Sequence, residues 1–387
     1  MLLDRAADFV LDLDAIPTTA LLDLTLEQVT LSGGGPDFRL TSRVISSAEK
    51  IINRLQENGR PVTDLLLSLA RYHAAFANGG DLRRKAVERA RDAALDDDEL
   101  LRALLVLARV EIDTSNYRKA AKLLAACGGL PPMTRAAYRQ QLLVTSAMVS
   151  FYDDVGETER LCHLALDGDD DPPRTVIGRQ QPRAEALHYL GRVAKFDGRH
   201  QEALDFYLRA QEHSEGRLTG RGFHHVRMAE VLMSHDLPDE IVYHLSEARR
   251  DFQQGQEASA GEAQLDATYA AYLSRQQRFD EATEVLTKAK RRCREHNYPR
   301  GELQCIAQLA MIEWTRRRPG SVIRRIGQAG VVFLRDELAA DWRHAGSKTL
   351  TDLRFARDFV FPRRGRRDTS EIHCPCGADH RQGEIGI

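Results

Sequence analysis

The sequence predicts an all-α protein: a right-handed α-α superhelix, or solenoid, of about seven helix hairpins, with an N-terminal helical segment and a C-terminal capping helix. Three observations lead there. Apolar residues recur at helical spacing along most of the chain. Small and apolar anchor positions then repeat about every 40 residues, a second period that an irregular helical bundle has no cause to show. Finally, 29% of the 387 residues are charged and only 6% are aromatic, which suits helices with much solvent-facing surface.

Residues 1–60 read as a helical segment with a glycine-rich linker. Leu2 to Leu13 and Ala20 to Leu31 are apolar-rich and divided by Pro17. Ser32-Gly33-Gly34-Gly35-Pro36 breaks the chain, because three glycines lose much freedom on ordering and proline cannot continue a helix. Thr41 to Gln56 then forms an amphipathic helix with Val44, Ala48, Ile51, Ile52 and Leu55 on one face.

Residues 61–335 read as the repeat array, and Arg183 to Ala210 states its unit most openly. Leu187, Leu190-Gly191 and Ala194 mark a first helix, Asp197-Gly198-Arg199-His200 a turn, and Ala203, Tyr207 and Ala210 a second helix. The Ala203 position recurs as Ala86, Ala120, Leu161, Ile241, Ala282 and Val322, giving successive spacings of 34, 41, 42, 38, 41 and 40 residues. The first helices repeat a small residue at Ala74, Ala108, Gly191, Ala229, Ala270 and Ala310, with Val149 the exception. Seven residues beyond each second-helix anchor come Ala93, Cys127, Gly168, Ala210, Ala248, Ala289 and Ala329. Small residues at these points let antiparallel helices approach closely and let the next pair nest on the same row. A ring or a proline often opens the second helix: Tyr117, His200, Pro238, Phe279 and Pro319.

Beyond Arg335 the repeat fades. Leu350, Leu353, Ala356 and Val360 mark an amphipathic helix within 336–362, expected to cap the stack and to end at Pro362. Residues 363–387 form a basic tail. The formal net charge of −2 excludes a global pull onto nucleic acid or membrane, yet Arg316 to Arg367 holds 14 Lys/Arg against 5 Asp/Glu. No apolar run approaches the roughly 18–20 residues that span a bilayer. The six cysteines fall singly except Cys374 and Cys376, as expected of a protein of the reducing cytosol. There is no phosphate-binding glycine loop and no nucleophile elbow, so nothing argues for an enzyme.

With Leu-Gly in the first helix and Ala and an aromatic in the second, residues 62–335 resemble tetratricopeptide-repeat proteins. Trp is absent from the position held by Leu187, and the closing proline occurs only at Pro132. Spacings near 40 are similar to the longer-helix arrays of peptide-responsive bacterial regulators of the Rap type and of kinesin light chains. The resemblance implies that first helices line a concave groove in which a ligand lies. Carried over by position, that lining is Arg102, Arg109 and Asp113; Ser146, Ser150 and Asp153; His188, Arg192 and Lys195; Arg227 and Glu230; then Thr268, Ala271, Gln308 and Met311. The Lys/Asn clamp of chaperone adaptors is not reproduced. An arginine-rich middle groove suits a protein or peptide partner that is acidic or presents a carboxylate, since guanidinium grips it with two parallel hydrogen bonds.

Two further readings stand beside this one. The tail cluster His373, Cys374, Cys376 and His380 has the chemistry of zinc ligands and looks like half of the zinc motif at the tails of SecA-like proteins. Completed by a second chain, it would bridge a homodimer. Arg316-Arg317-Arg318, Arg324-Arg325, Arg363-Arg364 and Arg366-Arg367 could contact nucleic-acid phosphates, although no recognition helix or stacking platform accompanies them. Asp167-Gly168-Asp169-Asp170-Asp171 is followed by Pro172-Pro173 where a calcium loop needs a distal carboxylate, and reads as a solvated loop.

Overall fold

Every secondary-structure element with defined bounds is helical. A computed structural model describes residues 38–335 apart from 75–78, 115, 168–181, 215–217, 236, 255–257 and 296–298. The segments at 1–32, the glycine linker, the cap within 336–362 and the tail with its Cys/His cluster lie outside the described residues. Among those described there are sixteen α-helices, one 3-10 turn and no strand.

A lone helix α1 (Phe38–Glu57) comes first. Seven hairpins follow: α2 (Thr63–Ala74) with α3 (Gly79–Asp92), and α4 (Asp97–Asp113) with α5 (Tyr117–Gly128). After a short α6 (Pro132–Ala137) come α7 (Arg139–Ser150) with α8 (Val155–Leu166), and α9 (Pro182–Phe196) with α10 (His200–Glu212). The last three are α11 (Leu218–Leu232) with α12 (Pro238–Gln254), α13 (Ala258–Arg275) with α14 (Phe279–Glu295), and α15 (Pro299–Thr315) with α16 (Pro319–Arg335). The expected number of hairpins is therefore met. The residues foreseen at the turns open α5, α10, α12, α14 and α16, where Pro238 and Pro319 sit at the first helical position and lose no bond.

The described residues divide into two compact units: one holds 38–111 and 119–139, the other 112–118, 140–167 and 182–335. The first unit packs Ala48, Ile52, Leu65, Leu66, Val87, Ala90, Leu101 and Ala108 into its core. Asp96 caps α4 by accepting from the Glu99 amide at 2.8 Å, and Glu99 accepts in return from the Leu95 amide at 2.9 Å and from Thr63 at 2.8 Å. This exchange satisfies orphan donors at the helix start, where acids also suit the dipole. Glu111, fully buried, is neutralised by Arg84 at 3.1 Å and Lys119 at 2.8 Å.

The second unit shows why the repeat carries small residues. Ala203, Ile241 and Ala282 are buried, as are Gly191, Ala229 and Ala270 across from them. A Cβ on Gly191 would stand 2.6 Å from a ring carbon of the fully buried Tyr207. Phe252 of α12 is held still more tightly: a Cβ on Gly222 of α11 would meet its ring at 2.7 Å, and one on Gly261 of α13 at 2.3 Å. The ring thus fills a slot between glycines of two consecutive first helices.

Helix ends repeat one turn. At Gly198, Gln277 and Arg317 the backbone enters the left-handed region, at φ 80°, 63° and 56°. The amides on either side close on the helix: Arg199 donates to Ala194 O at 2.8 Å, Arg278 to Leu273 O at 2.9 Å and Arg318 to Glu313 O at 2.9 Å. These are Schellman closures, usually built on glycine. Cys127, Cys162, Cys293 and Cys305 are free thiols and buried, one in each of four hairpins. No helix among the described residues is long and apolar enough to cross a membrane.

Candidate functional site

Helical spacing places the polar side chains of the second unit in one row. His188, Arg192 and Lys195 stand at i, i+4 and i+7 on α9, Arg227 and Glu230 at i and i+3 on α11, and Gln264 and Thr268 at i and i+4 on α13. All belong to first helices of consecutive hairpins.

Glu230 is the meeting point. Its carboxylate accepts from Lys195 Nζ at 2.6 Å, from Arg227 Nη1 at 2.8 and 2.9 Å, and from Gln264 Nε2 at 3.3 Å, with Thr268 Oγ1 at 3.5 Å. Its side chain is only 5% exposed. Burial by itself would raise its pKa; the charges and hydrogen bonds of Arg227 and Lys195 together outweigh that and bring it down to about 2. One ionised carboxylate therefore ties three hairpins together. Such a buried pair adds little to stability against an apolar replacement, but losing one partner strands a charge.

Arg192 lies beside it in a ring of aromatics. Its guanidinium carbon is 3.9 Å from the Phe151 ring centroid, 4.9 Å from that of Tyr189 and 5.7 Å from that of Tyr152, and it donates to the Tyr152 hydroxyl at 3.2 Å. Stacking on ring faces holds a guanidinium flat while its in-plane N–H groups stay directed sideways.

Histidines form a second polar cluster in the same unit. His188 and His224 share a hydrogen bond between their Nδ1 atoms at 3.2 Å, and His224 Nε2 lies 3.1 Å from Ser214 Oγ. His225 and His244 pair through Nδ1 at 2.8 Å, with Gln211 Nε2 3.0 Å from His225 Nε2. Each His–His bond requires one ring to donate and the other to accept, so both cannot be charged. Burial, reinforced by the charge of Arg227, lowers His224 to about 4; burial and the neighbouring His244 lower His225 to about 2.

Of the expected groove residues, the structure joins Lys195, Arg227 and Glu230 directly and sets Arg192 and His188 next to them. Ser150 turns its hydroxyl back to Ser146 O at 3.1 Å, and Asp153 follows α7 on an exposed turn. Arg102 belongs to the first unit, where it pairs with Asp64 and with Asp98 at 3.1 Å. Arg109 is half-buried on α4 of the same unit. Thr268, Ala271 and Gln308 are buried and Met311 is half-buried. Sequence reasoning missed Tyr207, Gln264, His224, His225 and the aromatic ring around Arg192; the available signals were the four-residue spacing of Gln264 from Thr268 and the three-residue spacing of His224 from Arg227, and nothing marked the others. Among the described residues no group of three or more His, Cys, Asp or Glu is arranged to hold a metal ion.

No protein-family model matches the sequence, and no curated protein matches it. Solved structures do. A Rap protein complexed with Competence and Sporulation Factor is 13% identical over 89% of this chain and 95% of its own, with a TM-score of 0.52. A Signal Transduction ATPase with Numerous Domains with a tetratricopeptide repeat sensor, from Pyrococcus horikoshii, is 13% identical over 83% of this chain, with a TM-score of 0.44. The chain spans about half that protein's length, 49%. The Rap likeness shows the fold: a tetratricopeptide-like helical repeat.

Proposed function

We propose that this protein is a non-catalytic recognition scaffold of the cytosol, binding a peptide or protein partner that presents acidic groups along the polar row of its second unit. The observation that carries this reading is the convergence of Arg192, Lys195, Arg227, Glu230 and Gln264 from three consecutive first helices on one face, with aromatic rings around Arg192. Ordered guanidinium and ammonium groups beside rings suit a carboxylate-bearing chain better than a small apolar ligand. The Rap protein that shares the fold was solved with a bound factor, which supports recognition as the use of such an array. A regulatory role follows if capture of the partner shifts the hairpins between arrangements.

The test is affinity capture from native lysate with the full chain and with Arg192→Glu/Arg227→Glu, compared by mass spectrometry. A partner retained by the wild type and lost by the double variant, at unchanged helical circular dichroism, is the expected result. Identical capture by both would remove this face from consideration.

A further inference from the structure

Tyr207 is the largest fully buried side chain among the described residues. Gly191 leaves room for its ring on one side, and the His188 ring stands 5.6 Å away on another. Burial keeps the phenol protonated, hence a donor, and Arg227, Glu230 and Arg192 are close enough to act on its ionisation. Its hydroxyl nevertheless has no hydrogen-bond partner among the described residues, and neither does the buried Nε of Arg227.

Two buried donors of one electrostatically linked cluster thus lack an acceptor among the described residues, and leaving a buried donor unpaired is costly, the more so for a charged group. Glu230 cannot serve them, because Lys195, Arg227 and Gln264 already supply its carboxylate with four hydrogen bonds. A water molecule is a poor solution, since its own two hydrogens would need acceptors in a place where the acceptors are taken. An oxygen that only accepts and carries negative charge satisfies both donors and the local field of two guanidinium groups.

We propose that Tyr207 Oη and Arg227 Nε, flanked by Arg192 and His188, form an oxyanion-binding site that accepts a carboxylate or phosphate oxygen. The site deepens the recognition reading, since Arg227, Arg192 and His188 belong to the same row, but it can be occupied without any partner protein. The oxygen comes either from an acidic group of a bound chain or from a free small anion. In both cases its chemistry is that of an acceptor without hydrogens.

The experiment measures thermal unfolding of the full chain in acetate and in phosphate, each titrated against chloride at constant ionic strength. Wild type should be stabilised saturably by at least one oxyanion. Tyr207→Phe keeps the ring against Gly191 and removes only the hydroxyl, so its apparent affinity should fall about tenfold, the worth of one charge-assisted bond. Arg227→Lys keeps the charge but lacks Nε, and carries the test should Tyr207→Phe fail to fold. A fluorescein-labelled hexaglutamate peptide, with hexaglutamine as control, separates the sources. Binding displaced by phosphate identifies the side-chain carboxylates of a bound chain, and saturation by free anion without peptide binding identifies a small-anion site. No stabilisation beyond chloride, or equal response of both variants and wild type, overturns the proposal. If that happens while partner capture still depends on Arg192 and Arg227, only the oxyanion site is lost and the recognition reading stands.

Discussion

Phe252 offers the sharpest test of how consecutive hairpins are fitted together. Gly261→Ala would place a methyl 2.3 Å from one ring carbon and 2.7 Å from two others, while Gly222 confines the same ring atoms, the nearest at 2.7 Å. The ring is fully buried, so it cannot swing into solvent, and relief must come from separating α11 from α13. Overpacking of this kind costs about 1–3 kcal/mol, against which a helical Gly→Ala exchange gains about 1 kcal/mol. The net expectation is a loss of roughly 0–2 kcal/mol. The background Phe252→Leu removes the distal ring atoms, and there Gly261→Ala should instead stabilise by about 0.5–1 kcal/mol. Urea unfolding followed by circular dichroism, with hydrogen exchange on α11 to α13 to localise the effect, reads both arms of this double-mutant cycle. A stabilising Gly261→Ala in the wild-type background, equal to that in Phe252→Leu, would refute the slot.

Three other expectations follow from particular residues. Gln277 occupies a left-handed turn position where Gly198 stands in an earlier hairpin, so Gln277→Gly should stabilise by about 0.5–1 kcal/mol in thermal unfolding, and a loss would mean that the Gln277 side chain contributes. His224 has a folded pKa of about 4 against an unfolded value near 6.5, so the unfolded chain binds the extra proton first. Its contribution is intact above about pH 6.5 and declines as pH falls toward 4, about 3 kcal/mol in all; His224→Gln should flatten the stability–pH curve across that window, and an unchanged slope would acquit it. We also propose zinc at His373, Cys374, Cys376 and His380: untagged full-length protein should carry metal by elemental analysis and lose it in Cys374→Ser/Cys376→Ser, with metal-free wild type ending the idea.

The fold was legible because its cause is written locally. Small residues recur wherever helix backbones meet, and the anchors Ala120, Ala203, Ile241 and Ala282 are buried as their spacing requires. The slot for Phe252 was not legible: Gly222 and Gly261 lie outside the repeating row, and one glycine in a helix looks like another until a ring is seen against it. The polar row was half legible. Position chose Arg192, Lys195, Arg227 and Glu230, but not that Glu230 would be buried by partners from the helices on either side. Sequence separation is the reason. Lys195 and Glu230 are 35 residues apart, and Gln264 and Glu230 are 34 apart. Only a folded array brings such pairs together. The histidines were illegible for the same reason, because His188 and His224 pair across 36 residues without any metal-like spacing.

The buried thiols have a use of their own. Burial pushes the Cys127 thiol up to about 11 and that of Cys162 up to about 12, so neither reacts while its hairpin is closed. Cys293 and Cys305 are equally hidden, in the sixth and seventh hairpins. Nature has thereby installed stopwatches at four stations along the chain. The order in which they react with a mild alkylating reagent would record where the array first breathes, without a single label being engineered.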